Sequence, residues 1–312
     1  MLLTSILLSD NNKKSKGRHQ VNYFFPLLAA LLWGSNTIIT KLCATVLAPV
    51  EIGFYRWLVA TLILTPFVAR SLKKRFSTVR PLLPKLILLG FLGGVMFQCL
   101  AYYAAHYTTA TNMGIIQSLM PIMALILAAY FLGHVTNFAS LLGVGISAIG
   151  VIVVVSHGDI GNLVRQGVNR GDVLMLVATL AFALYGFFVH KWQLNISLVH
   201  SVYIQAIVAT VMLLPLFIVS PKSHLTLEAG FYIGFAGFAA SILAPLVWMH
   251  GISKIGAARA SLFFNLVPVV TAILAVFFLS EKIAASVLVG GGLSIMGVLT
   301  AEIFRSRNTL DH

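Results

Sequence analysis

The chain has 312 residues, of which 59% are hydrophobic and only 9% charged, with a net charge of +13. Soluble domains carry about a quarter charged residues. So few charges cannot cover a water-exposed surface of this size, which excludes a water-soluble globular fold and points to lipid as the solvent. The two cysteines, Cys43 and Cys99, are too few for a disulfide framework and lack the spacing of a metal site.

The chain opens on residues 1–21, which read as a short cytoplasmic tail. The apolar run Met1–Leu8 precedes the basic Lys13, Lys14, Lys16 and Arg18, the reverse of the order in a signal peptide. Apolar stretches near the length needed to cross a bilayer then recur at 22–40, 50–69, 86–105, 108–132, 137–155, 172–190, 198–219, 229–252, 258–279 and 283–304. The third and fourth are separated by His106 and Tyr107 alone, so a tight turn is expected there.

The basic residues set an orientation. With the N-terminus inside, the inner segments hold the four of the tail, then Arg70, Lys73, Lys74, Arg75, Arg80, Lys85, Lys191, Lys254, Arg259, Arg305 and Arg307. The outer segments hold Lys41, Arg165, Arg170, Lys222 and Lys282. This asymmetry places both termini in the cytoplasm and ties the basic balance to anionic lipid rather than to nucleic acid.

The chain also repeats itself. Shifted by 147 residues, Leu119–Val151 lies over Leu266–Val298 without a gap, and 13 of the 33 positions are identical. The matches include Pro121 with Pro268, Gly143 with Gly290, Gly145 with Gly292, Ser147 with Ser294 and Gly150 with Gly297. Chance likeness between apolar helices would match leucines, not prolines and glycines. Val59-Ala60-Thr61 lies over Val208-Ala209-Thr210 at a shift of 149, and Trp33-Gly34 falls near Tyr185-Gly186. Residues 22–156 thus form a first repeat of five helices, 157–170 an extracytoplasmic linker, 171–304 a second repeat, and 305–312 a cytoplasmic tail. An odd number of spans inserts the second half upside down. The expected fold is all-α: a polytopic membrane protein of ten transmembrane helices in two inverted five-helix repeats, with substrate bound near the midplane between them.

Trp33-Gly34 with Lys41, Pro49 with Arg56, Pro121 with Phe131-Leu132-Gly133, and Pro268 with Phe278-Leu279-Ser280-Glu281 follow one another in this order, before the glycine-rich Gly290-Gly291-Gly292. In these the sequence resembles the EamA family of the drug/metabolite transporter superfamily. The resemblance implies a bacterial inner-membrane exporter of metabolites such as amino acids. It departs from the family at His134, where the first repeat usually carries a glutamate, as Glu281 does in the second.

Polar groups inside spans are costly and mark function. Arg56 is the one basic residue clearly within a span; it either holds a substrate carboxylate or a gating carbonyl, or turns outward to pair with Glu51. Its repeat partner is Gln205. Trp33, Asn36, Gln98, Tyr102, Asn112, Gln117, Tyr185, Trp248 and Asn265 complete the candidate substrate-binding set, with Tyr103 and His250, which are repeat equivalents, as gate residues. Pro121 and Pro268, each just after Gln117 or Asn265, are expected to break their helices and free backbone at a cavity. All eight acidic residues fall near helix ends or in loops, which reads against a deeply buried acidic proton relay and leaves a histidine as the alternative.

No H-E-x-x-H, G-x-S-x-G or phosphate-loop pattern is present, and the histidines are scattered. The reading is therefore a secondary transporter rather than an enzyme, channel or nucleotide-driven pump, with no metal and no cofactor. A neutral or zwitterionic amino acid is the first substrate expectation and a lipophilic or cationic drug the second. The expected partners are the substrate, the lipid bilayer and a second copy of the chain in a homodimer.

Overall fold

The computed structural model describes residues 2–132, 138–159, 168–255, 260 and 263–308. In chain order its helices are α1 (Leu2–Cys43), α2 (Pro49–Lys74), α3 (Phe76–Ala104), α4 (Ala110–Phe131), α5 (Phe138–Val155), α6 (Arg170–Trp192), α7 (Leu198–Val219), α8 (Leu227–Ile255), α9 (Leu266–Leu279) and α10 (Ala285–Asn308). Seven of these, α1 to α4 and α6 to α8, are long and apolar enough to cross a membrane. The apolar stretches of α5, α9 and α10 are shorter. No strand occurs among the described residues. His134, Gly133, Arg259 and residues 160–167 of the expected linker lie outside them.

The boundaries follow local chemistry. Pro49 opens α2, where its missing N–H is no loss, and Ser197 and Thr226 cap α7 and α8 by accepting from His200 N and Ala229 N. The backbone of the residues expected as a tail is helical from Leu2 and continuous with the rest of α1. α3 likewise begins at Phe76 rather than 86, because Pro81 and Pro84 each stand in the first turn of a short helical piece. The tight turn expected at His106 and Tyr107 is the Ala105–Thr109 corner between α3 and α4.

The helices pack in corresponding pairs. α1 lies against α8 and α9, as α6 lies against α3 and α4. α2 and α7 run antiparallel, joined by a Phe54–Phe217 stack at 4.2 Å and hydrogen bonds between Thr61 and Thr210 (3.4 Å), Thr65 and Tyr203 (3.0 Å), and Ser71 and His200 (2.9 Å). α5 and α10 cross so closely that a Cβ on Gly150 would meet the Gly290 carbonyl, and one on Gly297 the Gly143 carbonyl. The small residues let the backbones touch. Ser147 and Ser294 hydrogen-bond at 3.1 Å in this crossing. Gly90 presses on Val208 and the Gln205 carbonyl, while Gly237 presses on Val59 and the Arg56 carbonyl. These two contacts are the same contact made twice, once in each direction.

Candidate functional site

The centre of the molecule is built around Arg56. It sits two turns into α2 and is 2% exposed. Its Nε donates to Ser241 Oγ on α8 at 2.6 Å. Its Nη1 donates to Gln98 Oε1 at 3.0 Å, Tyr102 Oη at 3.3 Å and Asn36 Oδ1 at 3.4 Å. The guanidinium thus joins α1, α2, α3 and α8. All four acceptors are neutral, and Nη2 donates no hydrogen bond among the described residues. Outward pairing with Glu51 does not occur: the Glu51 carboxylate, itself 1% exposed, accepts from Ala48 N and from Ser223 N and Oγ at the end of α7. A buried cation costs several kcal/mol to desolvate. Charge-assisted hydrogen bonds return about 1.5–3 kcal/mol each. The site holds its arginine by dipoles and keeps the charge unneutralised.

Two irregular stretches frame this arginine. α3 is π-helical over Gly90–Met96 and α8 over Phe235–Leu243. A shift of 147 lays the first over Gly237–Leu243, so each half carries the same distortion in the same place. Such segments open the backbone ladder and gather at functional sites. Neighbouring residues of α2 read one each: Arg56 bonds Ser241 within the α8 segment, and Trp57 Nε1 donates to the Gly94 carbonyl of the α3 segment at 2.7 Å. Ser241 Oγ in turn donates a hydrogen bond to the Ala236 carbonyl at 2.7 Å. Sequence reading missed Ser241 and Trp57. The available signal was register, since Ser241 lies over Gly94 at the same shift.

Beside this cluster the structure brings Trp33, Trp248 and Phe264 into mutual ring contact at 5.5–5.8 Å. Trp33 lies one turn before Asn36 on α1, about 4.5 Å along the axis at the usual rise. Asn265 follows Phe264, is 5% exposed and stands at the start of α9, with Pro268 in that helix's first turn. Trp33, Asn36, Arg56, Gln98, Tyr102 and Trp248 therefore form one strip. Tyr185 stands apart, with its ring on Gly93 and its hydroxyl beside Gln205, whose amide donates to Ser201 Oγ at 2.8 Å. The second half has a neutral tyrosine–glutamine pair where the first has a cation. Gln117 is half-buried at a break in α4, whose pieces run Ala110–Gln117 and Met120–Leu132 with Pro121 in the first turn of the latter. Of the gate residues, Tyr103 is exposed near the end of α3, and His250 packs edge-on against Phe25 at 4.4 Å.

A second polar cluster holds the α3–α4 corner. Lys41 Nζ donates to the Ala105 and Thr108 carbonyls at 2.6 and 2.7 Å. Glu281 accepts from Ala110 N (2.7 Å), Thr111 N (3.2 Å) and Thr111 Oγ1 (2.7 Å). A cation thus meets the C-terminal carbonyls of α3 and an anion the N-terminal amides of α4, each matching the helix dipole. Thr108 Oγ1 donates to Asp172, and Asn169 Nδ2 donates to the Tyr107 carbonyl at 2.9 Å. Burial, and then the Lys41 charge, pull the His106 imidazole below its usual range. Asp172 is 2% exposed although it stands in the first turn of α6. Position near a helix end did not mean exposure for Asp172 or Glu51, because loops from other helices fold over both.

Long apolar helices with buried polar groups between them define a polytopic membrane protein. The EamA-like transporter family model matches residues 21–156 and again 169–301, and the chain belongs to that family. It is 29% identical over 291 residues to the uncharacterized transporter YyaM of Bacillus subtilis, covering 91% of this chain and 94% of that one. It is 25% identical over 275 residues to an S-adenosylmethionine uptake transporter of Rickettsia felis, covering 88% and 89%. A solved structure described only as "Crystal structure of protein" shares the fold at a TM-score of 0.63 and 15% identity, over 92% of this chain and 98% of the other.

Proposed function

We propose that this protein is a secondary transporter that exports small metabolites, amino acids or related compounds, across the bacterial cytoplasmic membrane by alternating access. On this reading α5, α9 and α10 also cross the bilayer, giving ten spans in two five-helix halves of opposite orientation with both termini cytoplasmic. The family's membership and the self-equivalent contacts Thr61–Thr210 and Ser147–Ser294 support it. Two halves that meet at their own equivalent residues can exchange roles, so that one cleft opens to either face.

The observation that carries the substrate class is Arg56, buried between the halves with only neutral acceptors. A carboxylate would supply the missing countercharge at Nη2, and the Trp33–Trp248–Phe264 cluster offers apolar surface beside it. A cationic drug would meet an unopposed positive charge, which sets the drug-efflux alternative second. The Rickettsia relative is named for uptake of S-adenosylmethionine, a molecule that bears a carboxylate together with a sulfonium cation.

The test is metabolite profiling of the medium and the cell content of strains overproducing the protein, with flux of each hit then measured in both directions in proteoliposomes. A carboxylate-bearing metabolite that accumulates outside, and ceases to do so with Arg56→Ala, is the expected result. An unchanged profile in that variant removes Arg56 from the site.

A further inference from the structure

Asp172 belongs to no part of the Arg56 cluster. Its Oδ1 accepts the Thr108 hydroxyl, while Oδ2 is buried and accepts no hydrogen bond among the described residues. The Asn112 side chain is within hydrogen-bonding reach of the carboxyl, yet Oδ2 itself has no hydrogen-bond partner among the described residues. A carboxylate oxygen sealed from water with no donor is unfavourable. The same oxygen carrying a proton becomes a donor, and the Asn112 side-chain carbonyl beside it is an acceptor that the amide can present by rotation.

The surroundings place this group at a joint. Asp172 stands on the first helix of the second half, whereas Thr108 and Asn112 stand on the corner and α4 of the first. Gly171, next to it, packs so tightly that a Cβ there would meet Thr108 N and the Ala104 carbonyl. The other charged or titratable groups facing this joint are Lys41 from α1, on the Thr108 carbonyl; His106 in the corner; His157 after α5; and Glu281 after α9, on the α4 amides. The corresponding stretch of α1, Gln20–Tyr23, contains no acid, so the feature exists at one face only.

We infer that Asp172 is a proton-binding site that governs the contact between the two halves at the corner. A proton from the aqueous phase at that face adds to Oδ2; the resulting carboxylic acid donates to Asn112 while keeping the Thr108 bond, and α6 closes on α4. Loss of the proton to the same phase leaves Oδ2 unpaired and releases the corner. The site itself does not depend on the transport reading; its use in coupling rests on that reading.

The test uses the full chain in lipid nanodiscs and needs no substrate. Infrared difference spectra between pH steps should show a protonated-carboxyl band that titrates in the wild type and is missing in Asp172→Asn. In a Cys43→Ala, Cys99→Ala background, maleimide labelling of Ala105→Cys, a buried corner position, normalised to the unfolded protein, should rise several-fold as pH rises through the same interval, and lose that pH dependence in Asp172→Asn. Should Asp172→Asn fail to fold, Thr108→Val removes the remaining bond to the carboxylate, and the band should then titrate at higher pH. A spectrum unchanged by either substitution, or labelling that follows pH identically with and without Asp172, overturns the inference. Flux in vesicles that persists in Asp172→Asn with unaltered proton dependence would remove the coupling role and leave the transport reading standing.

Discussion

Ser147 of α5 and Ser294 of α10 are the same position of two repeats, 147 residues apart, and their hydroxyls lie 3.1 Å from one another. A residue can touch its own equivalent only where the symmetry relating the copies passes between them. Thr61 and Thr210 do the same on α2 and α7 at 3.4 Å. Both contacts join antiparallel helices, so the operator they support lies across the helix direction. Cysteines introduced as Ser147→Cys with Ser294→Cys, or Thr61→Cys with Thr210→Cys, are expected to form disulfides under mild oxidation, since disulfide geometry demands such proximity. Pairing Ser147→Cys with Thr210→Cys should give none.

The α5–α10 crossing has no room to spare. A Cβ on Gly150 would fall 2.4 Å from both the Gly290 carbonyl and the Ser294 amide, and backbone cannot yield as a side chain does. Gly150→Ala is expected to cost about 1–3 kcal/mol, the usual range for overpacking. Gly145→Ala, on the same helix with nothing within 4 Å, should be neutral or stabilising by at most about 1 kcal/mol. Thermal unfolding in detergent distinguishes the two.

Arg56→Lys keeps the charge but loses the planar fork that reaches Ser241 and Gln98 at once. Flux of a carboxylate substrate should fall about tenfold, the equivalent of one charge-assisted hydrogen bond. Ser241→Ala, which leaves Nε without its acceptor, should give a similar loss. Saturable flux assays in proteoliposomes check both.

Glu281 satisfies two amides at the start of α4. Its replacement by alanine should cost about 0.5–2 kcal/mol, as for loss of a helix cap. Amide exchange at Ala110 and Thr111 is expected to quicken, with exchange in α2 unaffected.

How much of this was legible in the sequence depends on what kind of signal each residue gives. Arg56 stood out as a charge inside an apolar run, although outward pairing with Glu51 was an alternative until the structure placed it, and Gln98, Tyr102 and Asn36 stood out as amides or phenols in hydrocarbon. Their convergence on one guanidinium could not be read, since being neighbours in sequence does not fix which faces of α1, α2 and α3 meet, and Ser241 comes to Arg56 from 185 positions away. Ser241 gave only the signal of its register with Gly94: a serine in an apolar helix is commonplace, and the π-helical turn that aims it at Arg56 is a backbone event. The glycines of α5 and α10 showed in the sequence only as matched repeat positions; a Cβ would meet backbone at Gly150, Gly290 and Gly297, whereas Gly145 and Gly292 have open space. Asp172 does lie near a helix end, as the sequence indicated, but its burial could not be read, because the corner that covers it is built by residues 64 positions away.

The account stands on two halves inserted in opposite senses, and Tyr107 and Lys254 test that most directly. They are repeat equivalents at the end of α3 and near the end of α8. In a cysteine-free background, Tyr107→Cys and Lys254→Cys should each react with a membrane-impermeant maleimide from one face of sealed vesicles, and the two faces should be opposite, with Lys254→Cys reached from the cytoplasmic side. Labelling of both from the same face would contradict the inverted architecture and the alternating mechanism built on it.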